Sequence, residues 1–255
     1  MTPRTLATPS RRTVVLAALA LIAPAIALAA DAPSHSAVTP VPRPDAWWQQ
    51  RHQSFNDRAK QGNADLLFIG DSITQGWEAP APKGWEGPGA KDIWAKYYGS
   101  RNAVNLGIGG DQTQHVLWRL ENGNIDGIHP KAAVIMIGTN NSHGNSAQEI
   151  ADGITAIVHK LHDKLPDTKV LLLAVFPRGQ SPNPQREKLT QTNSLIAGLA
   201  DNKQVFFLDI GPNLMNPDGT IYKEIMPDFL HLSPKGYEIW ATSIEAKLKE
   251  LMGEK

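Results

Sequence analysis

The 255-residue chain contains no cysteine. Disulfides, thiolate nucleophiles and cysteine-based zinc or iron–sulfur sites are excluded together. Neither sign of charge prevails, with 25 Lys and Arg against 25 Asp and Glu. The chain therefore lacks the basic surplus that draws proteins to nucleic acid or anionic lipid. The eight His do not change this, because most imidazoles are neutral at pH 7. No His-x-x-x-His pair is present, so a zinc set would lack its usual nitrogen ligands. The G-x-S-x-G elbow of α/β-hydrolases is missing. The glycine-rich turn at 107–111 is not a dinucleotide fingerprint either, because Gln112 stands where the third glycine belongs.

An uninterrupted apolar run of roughly 20 residues, the length of a spanning helix, is also absent. The apolar run 14–23 stops at Pro24. It follows Arg11 and Arg12 and leads to Ala27-Leu28-Ala29, the layout of a secretory signal peptide over residues 1–30. Ser10-Arg11-Arg12 hints at twin-arginine export, although Thr13 and Val14 follow. The expectation is a periplasmic or secreted protein with no membrane span after cleavage. Removal of Arg4, Arg11 and Arg12 leaves 22 basic and 25 acidic residues, a net charge of about −3. Lack of disulfides does not conflict with bacterial-type export. Residues 31–45 are rich in Pro and Ser and read as a flexible lead-in. Residues 46–255 are enough for a single domain with a sizeable core.

Five apolar runs have strand character, at 66–70, 103–106, 132–138, 169–176 and 205–210. All but one are nearly continuous rather than alternating, as in parallel strands covered on both faces. Segments with helical spacing lie at 48–60, 92–98, 113–122, 147–164, 185–200 and 234–250. Strand and helix in alternation, at about 30 residues per unit, predict a doubly wound α/β sheet. Ligands bind such sheets outside the C-terminal ends of the strands.

Those ends carry small and polar residues. The first run, "LLFIG", stops in Asp71-Ser72; the second ends in "NLGIGGD"; the third ends in "GTNN". "FPRG" follows the fourth, and "PDFLHLSP" precedes the last helix. Ser72 can cap a helix, or it can be a nucleophile if a base takes its proton. Asp228 and His231, three apart, can touch and so serve a serine, or can form a plain capping or surface pair. Acyl transfer also needs donors for an oxyanion. Gly110 and Asn140 are the candidates, with tight turns as their other reading.

Ser, Gly, Asn and His in this order on successive strand ends, with Asp three before His, resemble the SGNH (GDSL) hydrolases. "NLGIGGDQTQHVLWRLENG", "IGTNN", "FPRGQSPNPQREK" and "DFLHLSPKGY" are similar to the branch that includes the catalytic subunits of platelet-activating-factor acetylhydrolase Ib. The resemblance implies a three-layer αβα sandwich around a five-stranded parallel sheet, flavodoxin-like in outline. It implies Ser72 as nucleophile, His231 as base and Asp228 as the acid that orients it. It further implies an oxyanion hole from the Ser72 and Gly110 amides and the Asn140 side chain. No metal or organic cofactor is required.

The expected activity is a serine esterase that removes short acyl groups, acetyl foremost, from O-acetylated carbohydrate. A lipid-directed esterase is the alternative, and it would need an apolar rim around 77–90. A non-catalytic glycan-binding module is a further alternative, disfavoured because both Ser72 and His231 are present. Asp71 is read as a hydrogen-bonder at the turn. With Asn141, Arg178 and Trp77 it is also a candidate contact at the substrate rim. Trp85 could stack on a sugar or staple its loop. Trp47 and Trp48 are expected to dock the first helix, and Arg119 to form a structural ion pair.

Overall fold

Every residue of the strand Leu66–Gly70 (β1) is buried, because it is an inner strand of a sheet covered by helices on both faces. The other strands are Ala103–Gly107 (β2), Ala132–Met136 (β3), Lys169–Leu173 (β4) and Val205–Leu208 (β5). All neighbours pair in parallel, in the order β2-β1-β3-β4-β5. This is the flavodoxin-like order, with its switch point between β1 and β3. The computed structural model describes residues 1, 35–84 and 86–254. The expected signal peptide, apart from Met1, and Trp85 lie outside the described residues.

Successive strand side chains point to opposite faces, and so build two cores. Leu67, Ile69, Ile135 and Leu172 pack against one helical layer. That layer comprises Ala46–Lys60 (α1), Thr113–Glu121 (α4), Ala147–Lys164 (α5) and Pro184–Ile196 (α6). Leu66, Phe68, Val134 and Leu171 pack against Ala90–Tyr98 (α3) and Pro234–Met252 (α7). The short helix Ser72–Gln75 (α2) crosses the C-terminal end of β1. The three-layer αβα sandwich is therefore as expected. No helix among the described residues is long and apolar enough to cross a membrane.

Local sequence fixes the helix starts. Ser146 and Glu149 form a reciprocal capping box on α5, at 3.2 and 2.8 Å. Ser233 caps α7 through the Gly236 N–H, with Pro234 as the first helical residue. Its hydroxyl also donates to the Glu224 carbonyl, which pins the loop that carries His231.

The lead-in differs from expectation where it is described. Ala37 is fully buried, its carbonyl accepts from Thr113 Oγ1 at 2.8 Å, and Arg43 reaches the glycine loop after β2. Residues 35–45 are thus packed on the domain. They open with a 3₁₀ turn at Ser36–Val38 and are held by the contacts of Ala37 and Arg43.

Candidate active site

β1 can end where it does because residue 70 is glycine. A Cβ there would lie 2.4 Å from the Met136 carbonyl oxygen and 2.1 Å from Thr74 Oγ1. The chain then turns into α2, capped by Asp71, whose Oδ1 accepts from the Ile73 N–H at 3.0 Å. Ser72 is the first residue of this helix, so its own N–H belongs to the group that a helix leaves without an internal acceptor. The Tyr237 hydroxyl donates to the Ile73 carbonyl at 2.7 Å and ties α2 to α7.

Asp228 and His231 approach Ser72 from the loop before α7. Phe229 between them has φ of 60°, a left-handed conformation uncommon outside glycine. The kink lets Asp228 Oδ1 accept from both the Leu230 and His231 N–H groups, at 3.1 and 2.8 Å. Its Oδ2 stands 2.7 Å from His231 Nδ1, and His231 Nε2 stands 2.9 Å from Ser72 Oγ. With the carboxylate as acceptor the ring proton sits on Nδ1, which leaves Nε2 free to take the hydroxyl proton. Burial pushes the Asp228 carboxyl up. The hydrogen bonds from the His231 ring and backbone, and the charge of His231, outweigh it, so its pKa lies below the ordinary value.

The other two groups come from the strands on either side of β1. Register places Gly70 opposite Gly107 on β2 and Met136 on β3, so Gly110 and Asn140 emerge at the same sheet edge as Ser72. A Cβ at Gly109 would lie 3.7 Å from Ser72 Cβ, which puts the glycine loop directly against the serine. Among the described residues the Gly110 N–H has no acceptor. The Asn140 side chain donates to the Asp111 carbonyl at 2.9 Å, and the Asn140 carbonyl accepts from Gln112 Nε2 at 3.1 Å. Arg178 donates through Nη1 to the Thr139 carbonyl and hydroxyl, at 3.2 and 3.1 Å. Its place is therefore to brace the turn after β3, with part of its guanidinium open at the rim.

Three other rim expectations are corrected. Trp77 is 1% exposed and packs among Phe68, Trp94, Tyr98, Tyr237 and Trp240, so it cannot stack on a ligand. Asn141 is fully buried and fastens the start of α4 to the loop before α5, accepting from the Thr113 N–H and donating to Asn145 Oδ1. Asp71 is fully buried as the α2 cap and offers the substrate nothing. Arg119 does form a structural ion pair, with Asp111. Trp48 docks α1, while Trp47 stays largely exposed. Arg43 was not singled out in the sequence, where it sits in "VPRPD" among prolines and no motif marks it.

Burial, reinforced by the nearby Asp111 charge, pushes the Asp71 carboxyl up to about 7; the bond from Ile73 and the His231 charge oppose this. Its Oδ2 has no partner among the described residues. The unfolded chain releases this proton in the ordinary carboxylate range and the folded chain only near 7, so stability falls with rising pH across that window. Asp71→Asn keeps the cap acceptor without the charge. The variant should gain about 2–3 kcal/mol relative to wild type between pH 5 and pH 8. Melting curves at both pH values should show the Tm difference rise by roughly 5–10 °C. A difference independent of pH would mean that Asp71 does not carry this titration.

Among the described residues no group of three or more His, Asp or Glu side chains could hold a metal ion. The model of the GDSL-like lipase/acylhydrolase family matches residues 68–239. Platelet-activating factor acetylhydrolase IB subunit alpha1 from Homo sapiens is 40% identical over 211 residues, 82% of this chain and 86% of that protein. An acetyl-xylooligosaccharide esterase mutant from Geobacillus superposes with a TM-score of 0.56 at 22% identity, covering 76% of this chain and 96% of that one. A carbohydrate acetylesterase from Sinorhizobium meliloti does so at 0.52 and 21%, covering 74% and 99%. The last two are likenesses of fold.

Proposed function

The chain belongs to the GDSL-like lipase/acylhydrolase family, and from that premise we propose a serine esterase that removes short acyl groups, acetyl foremost, through an acyl-enzyme on Ser72. The observation that carries this reading is the unbroken hydrogen-bonded line Ser72–His231–Asp228. Ser72 Oγ attacks the ester carbonyl while His231 Nε2 takes its proton. Asp228 stabilises the imidazolium that forms. The Ser72 and Gly110 amides and the Asn140 side chain receive the oxyanion. His231 then returns the proton to the leaving alcohol. Water, activated by the same imidazole, releases the acid and restores the serine.

Acetyl is favoured by the name of the human relative, an acetylhydrolase at 40% identity. Carbohydrate as the alcohol rests on the export signal read in residues 1–30, which would place the enzyme in the periplasm or outside the cell. The two acetylesterase neighbours accord with this but share only the fold. One observation favours an amphiphilic ester instead. An apolar cleft of about 310 Å³ lies beside the His231 loop, lined by Ala79, Pro80, Pro82, Pro227, Leu232 and Pro234.

Hydrolysis of p-nitrophenyl acetate, butyrate and octanoate separates these readings. Turnover that is highest on acetate and falls with chain length supports the acetylesterase. Preference for octanoate selects the amphiphile reading. No turnover of any ester, or turnover that persists in Ser72→Ala, rejects the mechanism.

A further inference from the structure

The Gly109–Gly110 peptide is held by a side chain 66 residues away: Arg43 Nη1 donates to the Gly109 carbonyl at 2.7 Å. The guanidinium is itself fixed. Its Nε donates to Asp45 Oδ2 at 3.2 Å, and its carbon lies 5.1 Å from the Trp47 ring centroid. Nη1 also stands 3.8 Å from the buried Asp111 carboxylate.

The held peptide is the central one of a β-turn closed by the Asp111 N–H on the Ile108 carbonyl, at 3.1 Å. Gly110 has φ of 77°, the mark of a type II turn. Types I and II differ by reversal of this central peptide, and with glycine on both sides neither form meets a Cβ penalty. A trans peptide is planar, with its C=O and N–H pointing opposite ways. Whatever holds the Gly109 carbonyl therefore also aims the Gly110 N–H. Arg43 and Ser72 flank the turn: a Cβ on Gly110 would meet Arg43 Nη1 at 3.0 Å, whereas one on Gly109 would face Ser72.

We propose that Arg43 is a positioning residue, which locks this turn in the type II form and so points the Gly110 N–H at the Ser72 reaction centre. The proposal rests on the reading of that N–H as an oxyanion donor. Without Arg43 the peptide rests reversed in most molecules, and a carbonyl then faces the developing negative charge.

The test uses Arg43→Met and Arg43→Ala beside Ser72→Ala, with p-nitrophenyl acetate as substrate. Turnover in both Arg43 variants should fall about 10- to 100-fold, less than the 10²–10³ for outright loss of a donor. KM and Tm should stay near wild type, because the substrate-free fold keeps its other contacts. Guanidinium chloride at millimolar, non-denaturing concentration should restore turnover in Arg43→Ala, where it can refill the vacated position. Unchanged kcat in Arg43→Met overturns the proposal. So does a loss that guanidinium does not relieve, or loss of the native melting transition in both variants. If Ser72→Ala retains activity, the esterase reading itself fails, whatever Arg43 does.

Discussion

Ser72→Ala and His231→Ala should each lower turnover of p-nitrophenyl acetate by on the order of 10⁵–10⁶, and the double variant should be no slower than either single one. The reason is geometric. A serine hydroxyl is a poor nucleophile until a base takes its proton, and the imidazole nitrogen in reach is His231 Nε2, at 2.9 Å. Remove either partner and the other has nothing to act on. Asp228→Asn should cost less, about 10⁴-fold, because its loss misorients the ring and leaves the imidazolium unsupported without abolishing the base. The lowered pKa of Asp228 keeps it anionic at neutral pH. The carboxamide can still accept from the Leu230 and His231 N–H groups, so the loop should hold its shape and the Tm should change little. Single-variant and double-variant rates on one substrate decide the point. Additive losses would mean that the serine and histidine act independently, and the relay would be withdrawn.

Much of this site was legible because its residues lie where chain direction and glycine placement are themselves informative. β1 was delimited to the residue, since Gly70 both ends the apolar run and admits the Met136 carbonyl. For β3, β4 and β5 hydropathy predicts longer strands than form, for one physical reason, whereas β2 runs one residue past its predicted end. Ile137 and Val175 are as buried as strand residues, yet they lie beyond the last paired positions of β3 and β4. Hydropathy reports burial, and backbone pairing leaves no separate mark on it. Trp77 shows the same limit: a tryptophan beside glycines and prolines looks identical in sequence whether it faces a ligand or the core. Asn141 follows Asn140 directly, but the 3₁₀ turn they share sends their side chains apart, one to the glycine loop and one into the α4–α5 seam. Arg43 could not be found at all, because its partner is a backbone carbonyl 66 residues away and no side-chain pattern encodes it.

Arg119→Met should destabilise the domain by about 3–5 kcal/mol, because it leaves the buried Asp111 carboxylate without its hydrogen-bonded counter-charge, with only Arg43 Nη1 at 3.8 Å. Both side chains are fully buried, with Arg119 Nε on Asp111 Oδ2 at 2.9 Å. Burial holds the Asp111 pKa above its ordinary value and that of Arg119 below, even though each supplies the other's counter-charge. The pair is therefore costly to bury, and costlier still to break. The guanidinium also donates to Asn124 Oδ1 at 2.9 Å, while Asp111 Oδ1 accepts from Trp48 Nε1 at 2.6 Å. α1, α4 and the glycine loop meet at this one point. For a domain of this size the loss corresponds to a fall in Tm of roughly 6–20 °C. The double variant Arg119→Met/Asp111→Asn should recover a large part of it, since no unpaired charge remains and the carboxamide oxygen can still accept from Trp48. Recovery by the second substitution would locate the penalty in the stranded charge. A double variant less stable than Arg119→Met alone would place it in lost packing and hydrogen bonds instead. The Asp111 carbonyl holds the Asn140 side chain, so the same melting series, read beside kcat, tests whether the ion pair serves the oxyanion site as well as the fold. If it does, the double variant should regain stability before it regains turnover, because a carboxamide at position 111 restores neutrality without the anchor that Arg119 gives the loop.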